Sequence, residues 1–146
     1  MNIINHSDLK LNGCTILVVE DNELNQQVAQ GLLEYNGAVV SIAGNGQEAL
    51  DKLSKENFDC VLMDIQMPVM DGLEATKMIR ANPQWSNMPI IAVTAHADQR
   101  YKDSCRSVGM NDFLIKPIDP EQLVRIILKW LLSERAVMNG CGNSKF

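Results

Sequence analysis

The chain has 146 residues, enough for one compact domain with a sizeable core. Its balance of 46% hydrophobic and 21% charged residues is that of an ordinary globular protein, and a net charge of −5 with scattered lysines and arginines argues against a nucleic-acid surface. No apolar run approaches the roughly 20 residues of a membrane helix, no signal-peptide pattern opens the chain, and a cytoplasmic location without membrane contact is expected.

Residues 1–13 are mixed and polar and read as a linker or leader. Thr15-Ile16-Leu17-Val18-Val19 is a β-branched run apolar on both faces, the pattern of a central parallel strand. It ends in Glu20-Asp21-Asn22, where Asp21 or Asn22 can cap a helix. Leu24, Val28 and Leu32 recur at i, i+4, i+8 and predict that helix's apolar stripe, with Leu24 near its start reading equally as an exposed apolar docking anchor, and Gly37 stops it. A second strand over 39–43 and a helix over 47–55 follow, with Ala49, Leu50 and Leu53 inward.

A third strand over 58–63 leads into Asp64, then a loop with Pro68 and a helix over 72–81. Residues 89–94 form the fourth strand, its proline placed at the start, where a missing donor is tolerated. Tyr101, Cys105 and Val108 mark a weakly amphipathic fourth helix, and residues 112–115 a short fifth strand. Pro120 opens a last helix carrying Leu123, Ile126, Ile127, Trp130 and Leu131, the best helical period in the chain. The domain is expected over 14–134, with a frayed tail over 135–146. Cys14, Cys60, Cys105 and Cys141 are widely spaced without a metal-site pattern, and read as reduced thiols.

Strict strand–helix alternation predicts an α/β fold, a flavodoxin-like (βα)5 three-layer sandwich with parallel strand order 2-1-3-4-5. Ligands in such sheets bind beyond the carboxyl ends of the strands. At those ends this sequence carries Glu20 and Asp21, then Asp64, then Thr94, then Lys116. Each has an ordinary structural reading as a cap, turn or solvated residue, but their joint placement points to a site. Crowded carboxylates call for a hard divalent cation, Mg²⁺ before Ca²⁺. An ionised Asp64 can attack phosphorus directly, with the cation, Lys116 and Thr94 each neutralising one equatorial oxygen.

The segments ILVVEDNELNQQVA, VLMDIQMPVMDGLEAT, PIIAVTAHA and FLIKPID closely resemble receiver domains of two-component response regulators, above all those fused to hybrid sensor histidine kinases. The resemblance implies that Asp64 is the phosphoacceptor and that Mg²⁺ is held by Asp21, Asp64 and the Gln66 main-chain carbonyl, with Glu20 acting through water. It implies Thr94 as the switch hydroxyl, Lys116 as the phosphoryl-contacting lysine before a cis proline, and Phe113 as the aromatic switch residue. Asn22 and Asn25 fit the hybrid-type signature, while Gln66 occupies a variable position and His96 lies just past Thr94. The partners implied are a histidine kinase and a histidine phosphotransfer domain, in a phosphorelay in which the domain catalyses its own phosphorylation and dephosphorylation without kinase activity. No DNA-binding segment is expected after the domain, so output passes through another protein or domain.

Two other readings compete. A phosphatase of the haloacid dehalogenase type would need a second Asp two residues after the nucleophile, and Gln66 stands there. A phosphorylation-independent interaction module would have no use for the acids and the lysine.

Overall fold

The structure, a computed structural model, describes residues 10–138. Five parallel strands form one sheet: β1 (Thr15–Val19), β2 (Val39–Ala43), β3 (Cys60–Asp64), β4 (Ile90–Thr94) and β5 (Asp112–Ile115). Their order is β2-β1-β3-β4-β5, as the alternation predicted. Five helices alternate with them: α1 (Glu23–Tyr35), α2 (Gly46–Lys55), α3 (Gly72–Arg80), α4 (Gln99–Ser107) and α5 (Pro120–Met138). A single 3-10 turn over Pro83–Trp85, absent from the sequence reading, precedes β4.

Strand parity divides the core between the two sheet faces. Ile16, Val18, Leu62, Ile91, Val93 and Leu114 pack under α1 and α5. Leu17, Val19, Val61, Met63, Ile90 and Ala92 pack under α2, α3 and α4. Because β1, β3 and β4 are covered on both sides, their side chains are buried in succession rather than alternately, which explains the unbroken apolar runs. A fully buried leucine such as Leu17 or Leu62 accounts for about 2–3 kcal/mol of hydrophobic stabilisation.

Four helices start with a side-chain cap just beyond a strand end. Asn22, Asn45, Asp71 and Asp98 each accept a hydrogen bond from the backbone N–H three residues on. These caps hold the loops at the carboxyl edge of the sheet short and ordered. At the other end of α1, Gly37 takes φ 93°, the left-handed turn that stops the helix.

The apolar stripe expected on α1 is displaced. Ala29 and Leu33 are its buried residues, while Leu24 and Val28 face outward and Leu32 is half-buried. The i, i+4, i+8 spacing was real, but it marks the flank of the buried face. Alanine at position 29 allows close approach to the sheet and carries little weight in a periodicity count.

The packed domain also extends slightly past both expected ends. Leu11 is fully buried, with its N–H donating to the Asn36 carbonyl at 2.8 Å, and α5 continues to Met138. The remainder of the expected leader and tail, residues 1–9 and 139–146 with Cys141, lies outside the described residues. Cys14, Cys60 and Cys105 are buried. No described helix is long and apolar enough to cross a membrane.

Candidate functional site

The parallel register brings the expected residues together. Val19 pairs with Met63 and Asp64 with Val93, so the residues after β1 emerge beside the end of β3. Carboxylate oxygens of Glu20, Asp21 and Asp64 all lie within 4.8 Å of one another. Glu20 and Asp64 are buried, and Asp21 is exposed. Thr94 pairs with Ile115, and its carbonyl accepts the Lys116 N–H at 2.8 Å, which fixes where the lysine leaves β5. The Lys116-Pro117 peptide bond is cis, as the resemblance implied. Lys116 Nζ stands 3.1 Å from Glu20 Oε1 and 3.3 Å from Asp64 Oδ2.

Further donors fix the acids. The Asn22 N–H donates to Glu20 Oε2 at 3.1 Å, and the Gln66 N–H to Asp64 Oδ1 at 3.3 Å. Gln26 Nε2 donates to the Glu20 carbonyl at 2.7 Å, fastening α1 to the end of β1. Gly72 packs so closely that a Cβ there would collide with the Asp64 carbonyl oxygen and, at 2.9 Å, with Ile65 Cα. Sequence reading passed over Gln26 and Gly72. A glycine one residue after a good cap was the available signal for the second.

The electrostatics are those of a crowded anionic pocket with one cation. Burial, then the Glu20 charge, push the Asp64 carboxyl up to about 6, against the pull of Lys116. Burial works to raise Glu20 as well. Its hydrogen bond from Asn22 and its contact with Lys116 outweigh that and hold it below the usual carboxylate range. Burial works to lower Lys116, but the Glu20 hydrogen bond and the charges of Asp64 and Glu20 keep it above the usual lysine value.

Three carboxylates facing one ammonium leave uncompensated negative charge. Hard oxygen donors in that excess suit a divalent cation that keeps some of its water, which is the chemistry of Mg²⁺. The donor set therefore fits the metal expected from the sequence.

The remaining predicted residues lie around this centre. Thr94 is buried, and its Oγ1 accepts the His96 N–H at 3.1 Å. Phe113 is half-buried on β5, packed with the α2–α4 side of the core beneath Lys102 Nζ, 5.5 Å from the ring centroid. His96 is exposed but engaged. Its ring stacks on Tyr101 at 4.8 Å, and Gln66 Nε2 reaches both His96 Nε2 and the Tyr101 hydroxyl at 3.1 Å. Each such hydrogen bond contributes about 1 kcal/mol, and the stacked pair about as much again. On the opposite flank a cleft of about 380 Å³, walled by Val28, Ala29, Leu62, Val93, Pro117 and Ile118, opens onto Glu20, Asp64 and Lys116.

This geometry, an acidic cluster and a lysine at the switch point of a 2-1-3-4-5 sheet, agrees with what comparison with known proteins finds. The family model of the response regulator receiver domain matches residues 16–128. The chain belongs to that family.

Among relatives of this receiver domain, the sensor protein GacS of Pseudomonas syringae pv. syringae is 46% identical over 118 residues. That match takes in 79% of this chain but 13% of the relative, so the chain spans a small fraction of the curated relatives it matches. The receiver domain of a sensor histidine kinase from Pseudomonas aeruginosa PAO1, described with a magnesium ion coordinated in its active site cleft, superposes with a TM-score of 0.77 at 40% identity. It covers 82% of this chain and 98% of the other. The co-crystal structure of the Saccharomyces cerevisiae histidine phosphotransfer signaling protein Ypd1 with the receiver domain of the response regulator Ssk1 gives a TM-score of 0.78 at 30% identity, over 84% of this chain and 92% of that one. Receiver domains bind Mg²⁺ at an acidic site, and the acidic cluster of this receiver domain lies where that site is expected.

Proposed function

We propose that this receiver domain accepts a phosphoryl group on Asp64 from a partner's phosphohistidine and passes it on, or signals with it, within a phosphorelay. The observation that carries this reading is the meeting of Lys116 with both Glu20 and Asp64 beside Asp21. An ionised Asp64 oxygen attacks phosphorus, the P–N bond to the donor imidazole breaks, and the imidazole leaves with that electron pair and takes up a proton. Lys116 is placed to neutralise one equatorial oxygen of the transferring group. Thr94 exchanges its contact with the His96 N–H for a second oxygen.

Asp21, Asp64 and the Gln66 main-chain carbonyl would hold Mg²⁺, with Glu20 acting through water. Bound there, the ion supplies charge neutralisation for the transferring group. No general base is needed, because the nucleophile reacts as its anion, and the elevated Asp64 carboxyl makes that anion scarce in acid.

The outward-facing Leu24 and Val28 on α1, next to the apolar cleft, form the surface on which a histidine phosphotransfer domain or histidine kinase would dock. The likeness to the Ypd1–Ssk1 pair supports a phosphotransfer partner. The likeness to sensor kinases supports a place as the cytoplasmic receiver module of a hybrid histidine kinase.

Incubating the chain with acetyl phosphate and Mg²⁺ and measuring intact mass tests the reading. One phosphoryl adduct is expected, absent from Asp64→Asn and absent when Mg²⁺ is chelated. Rapid turnover of phosphate esters without an adduct, or an adduct that survives in Asp64→Asn, would overturn it.

A further inference from the structure

Phe113 stands at the position of the expected aromatic switch but has no hydroxyl with which to sense the acceptor site. A tyrosine hydroxyl does reach the acceptor loop, and it comes from α4. Tyr101 Oη accepts from Gln66 Nε2, whose residue lies two positions after Asp64 and whose own N–H bonds Asp64 Oδ1. His96 completes the link: its ring accepts from the same amide group and stacks on Tyr101 at an interplanar angle of 12°, while its backbone N–H bonds Thr94 Oγ1. Three separate chain segments, the loop after β3, the loop after β4 and the first turn of α4, therefore meet in one hydrogen-bonded group.

The helix so tethered is held loosely otherwise. Cys105 is the only buried residue within α4. Beside the Asp98 cap, which accepts the Tyr101 N–H at 2.9 Å, the tether is what links its first turn to the acceptor loop, and an element with so little buried surface opens at low cost.

We propose that Tyr101 is a positioning residue that couples the acceptor loop to α4 through Gln66 and His96, a route that bypasses Phe113 and is joined to Thr94 by the His96 N–H. The inference rests on the reading of Asp64 as acceptor. When the acceptor loop adjusts to a phosphoryl group, Gln66 shifts relative to Tyr101. When Thr94 turns inward it releases the His96 N–H. Both events loosen the same group, and α4 is freed at its N-terminal turn.

The test is amide hydrogen exchange across α4 in the full chain, with and without beryllium fluoride plus Mg²⁺ as a stand-in for the acyl phosphate. The wild type is expected to change its α4 exchange on adding beryllium fluoride. Tyr101→Phe is expected to remove half or more of that change, while still forming the acetyl phosphate adduct. Gln66→Ala should remove as much of the α4 exchange change, and the double variant should lose no more of it than either single one, since all three break one link. An α4 response in Tyr101→Phe equal to that of the wild type would sink the proposal. So would additive losses in the double variant, or a lowered melting temperature with the response intact. Failure of the wild type itself to form an adduct would instead overturn the acceptor reading.

Discussion

Asp64 is the residue on which the site's stability and its chemistry oppose each other. Its carboxyl sits at about 6 in the folded chain against an ordinary 3.8, so the native state binds that proton more tightly than the unfolded chain does. The associated stabilisation is fully present below about pH 4 and is lost as pH rises through 6. In metal-free buffer, Asp64→Asn is therefore expected to exceed the wild type in stability by on the order of 2 kcal/mol above pH 6. The difference should vanish near pH 4, where both side chains are neutral, and urea denaturation at the two pH values in the presence of a chelator measures it. Removing the cation acts in the opposite sense. Lys116→Ala leaves Glu20 and Asp64 facing each other without an ammonium, and the rate of acetyl phosphate adduct formation should fall by about 10–100-fold. Intact-mass time courses read that rate directly. All the charged members of this site were legible from the sequence, because strand ends are easy to find and carboxylates there are unusual. The Gln66–His96–Tyr101 group was not, since three separate segments supply it and no spacing rule connects them.

At the scale of elements, α1 shows where periodicity misleads. Leu24, at 68% exposed, and Val28, at 49%, look like core in a helical count but stand in solvent, and the helix is seated by Ala29, Leu33 and the Gln26 bond to β1. Their exposure has a testable meaning. Leu24→Ala with Val28→Ala should change folding stability by less than about 0.5 kcal/mol, while slowing transfer from a phosphorylated phosphotransfer domain and leaving the acetyl phosphate reaction unchanged. Equal rates of partner transfer would remove α1 from the docking surface. The turn after α3 carries the opposite kind of residue. Arg80 at the end of α3 donates to the carbonyls of Gly109, Trp85 and Met88 and to Asn111 Oδ1, all between 2.7 and 2.9 Å. It ties α3, the 3-10 turn, β4 and β5 together at the end of the sheet away from Asp64. Arg80→Met keeps the aliphatic stem and removes these four hydrogen bonds, so a loss of about 2–4 kcal/mol is expected in thermal or urea unfolding, with adduct formation retained at low temperature.

The molecule as a whole was the most legible level. Five apolar runs alternating with helical patterns admit few right-handed topologies, and the observed strand order is the leading one among them. Boundaries were less so: Leu11 joins the core from a segment too short and polar to read as structure. Linkage offers one test at this scale. A cation held by the assembled cluster would stabilise the folded chain alone, so millimolar Mg²⁺ should raise the melting temperature of the wild type and have little effect on Asp64→Asn, as scanning calorimetry would reveal. The cluster also has a history in time. Lys116 meets Glu20 across 96 positions of sequence. A ribosome has made most of the domain before the two can touch, so an emerging chain carries every acid of the cluster before the lysine that faces them. Lys116 is thus the last member of the cluster to be synthesised.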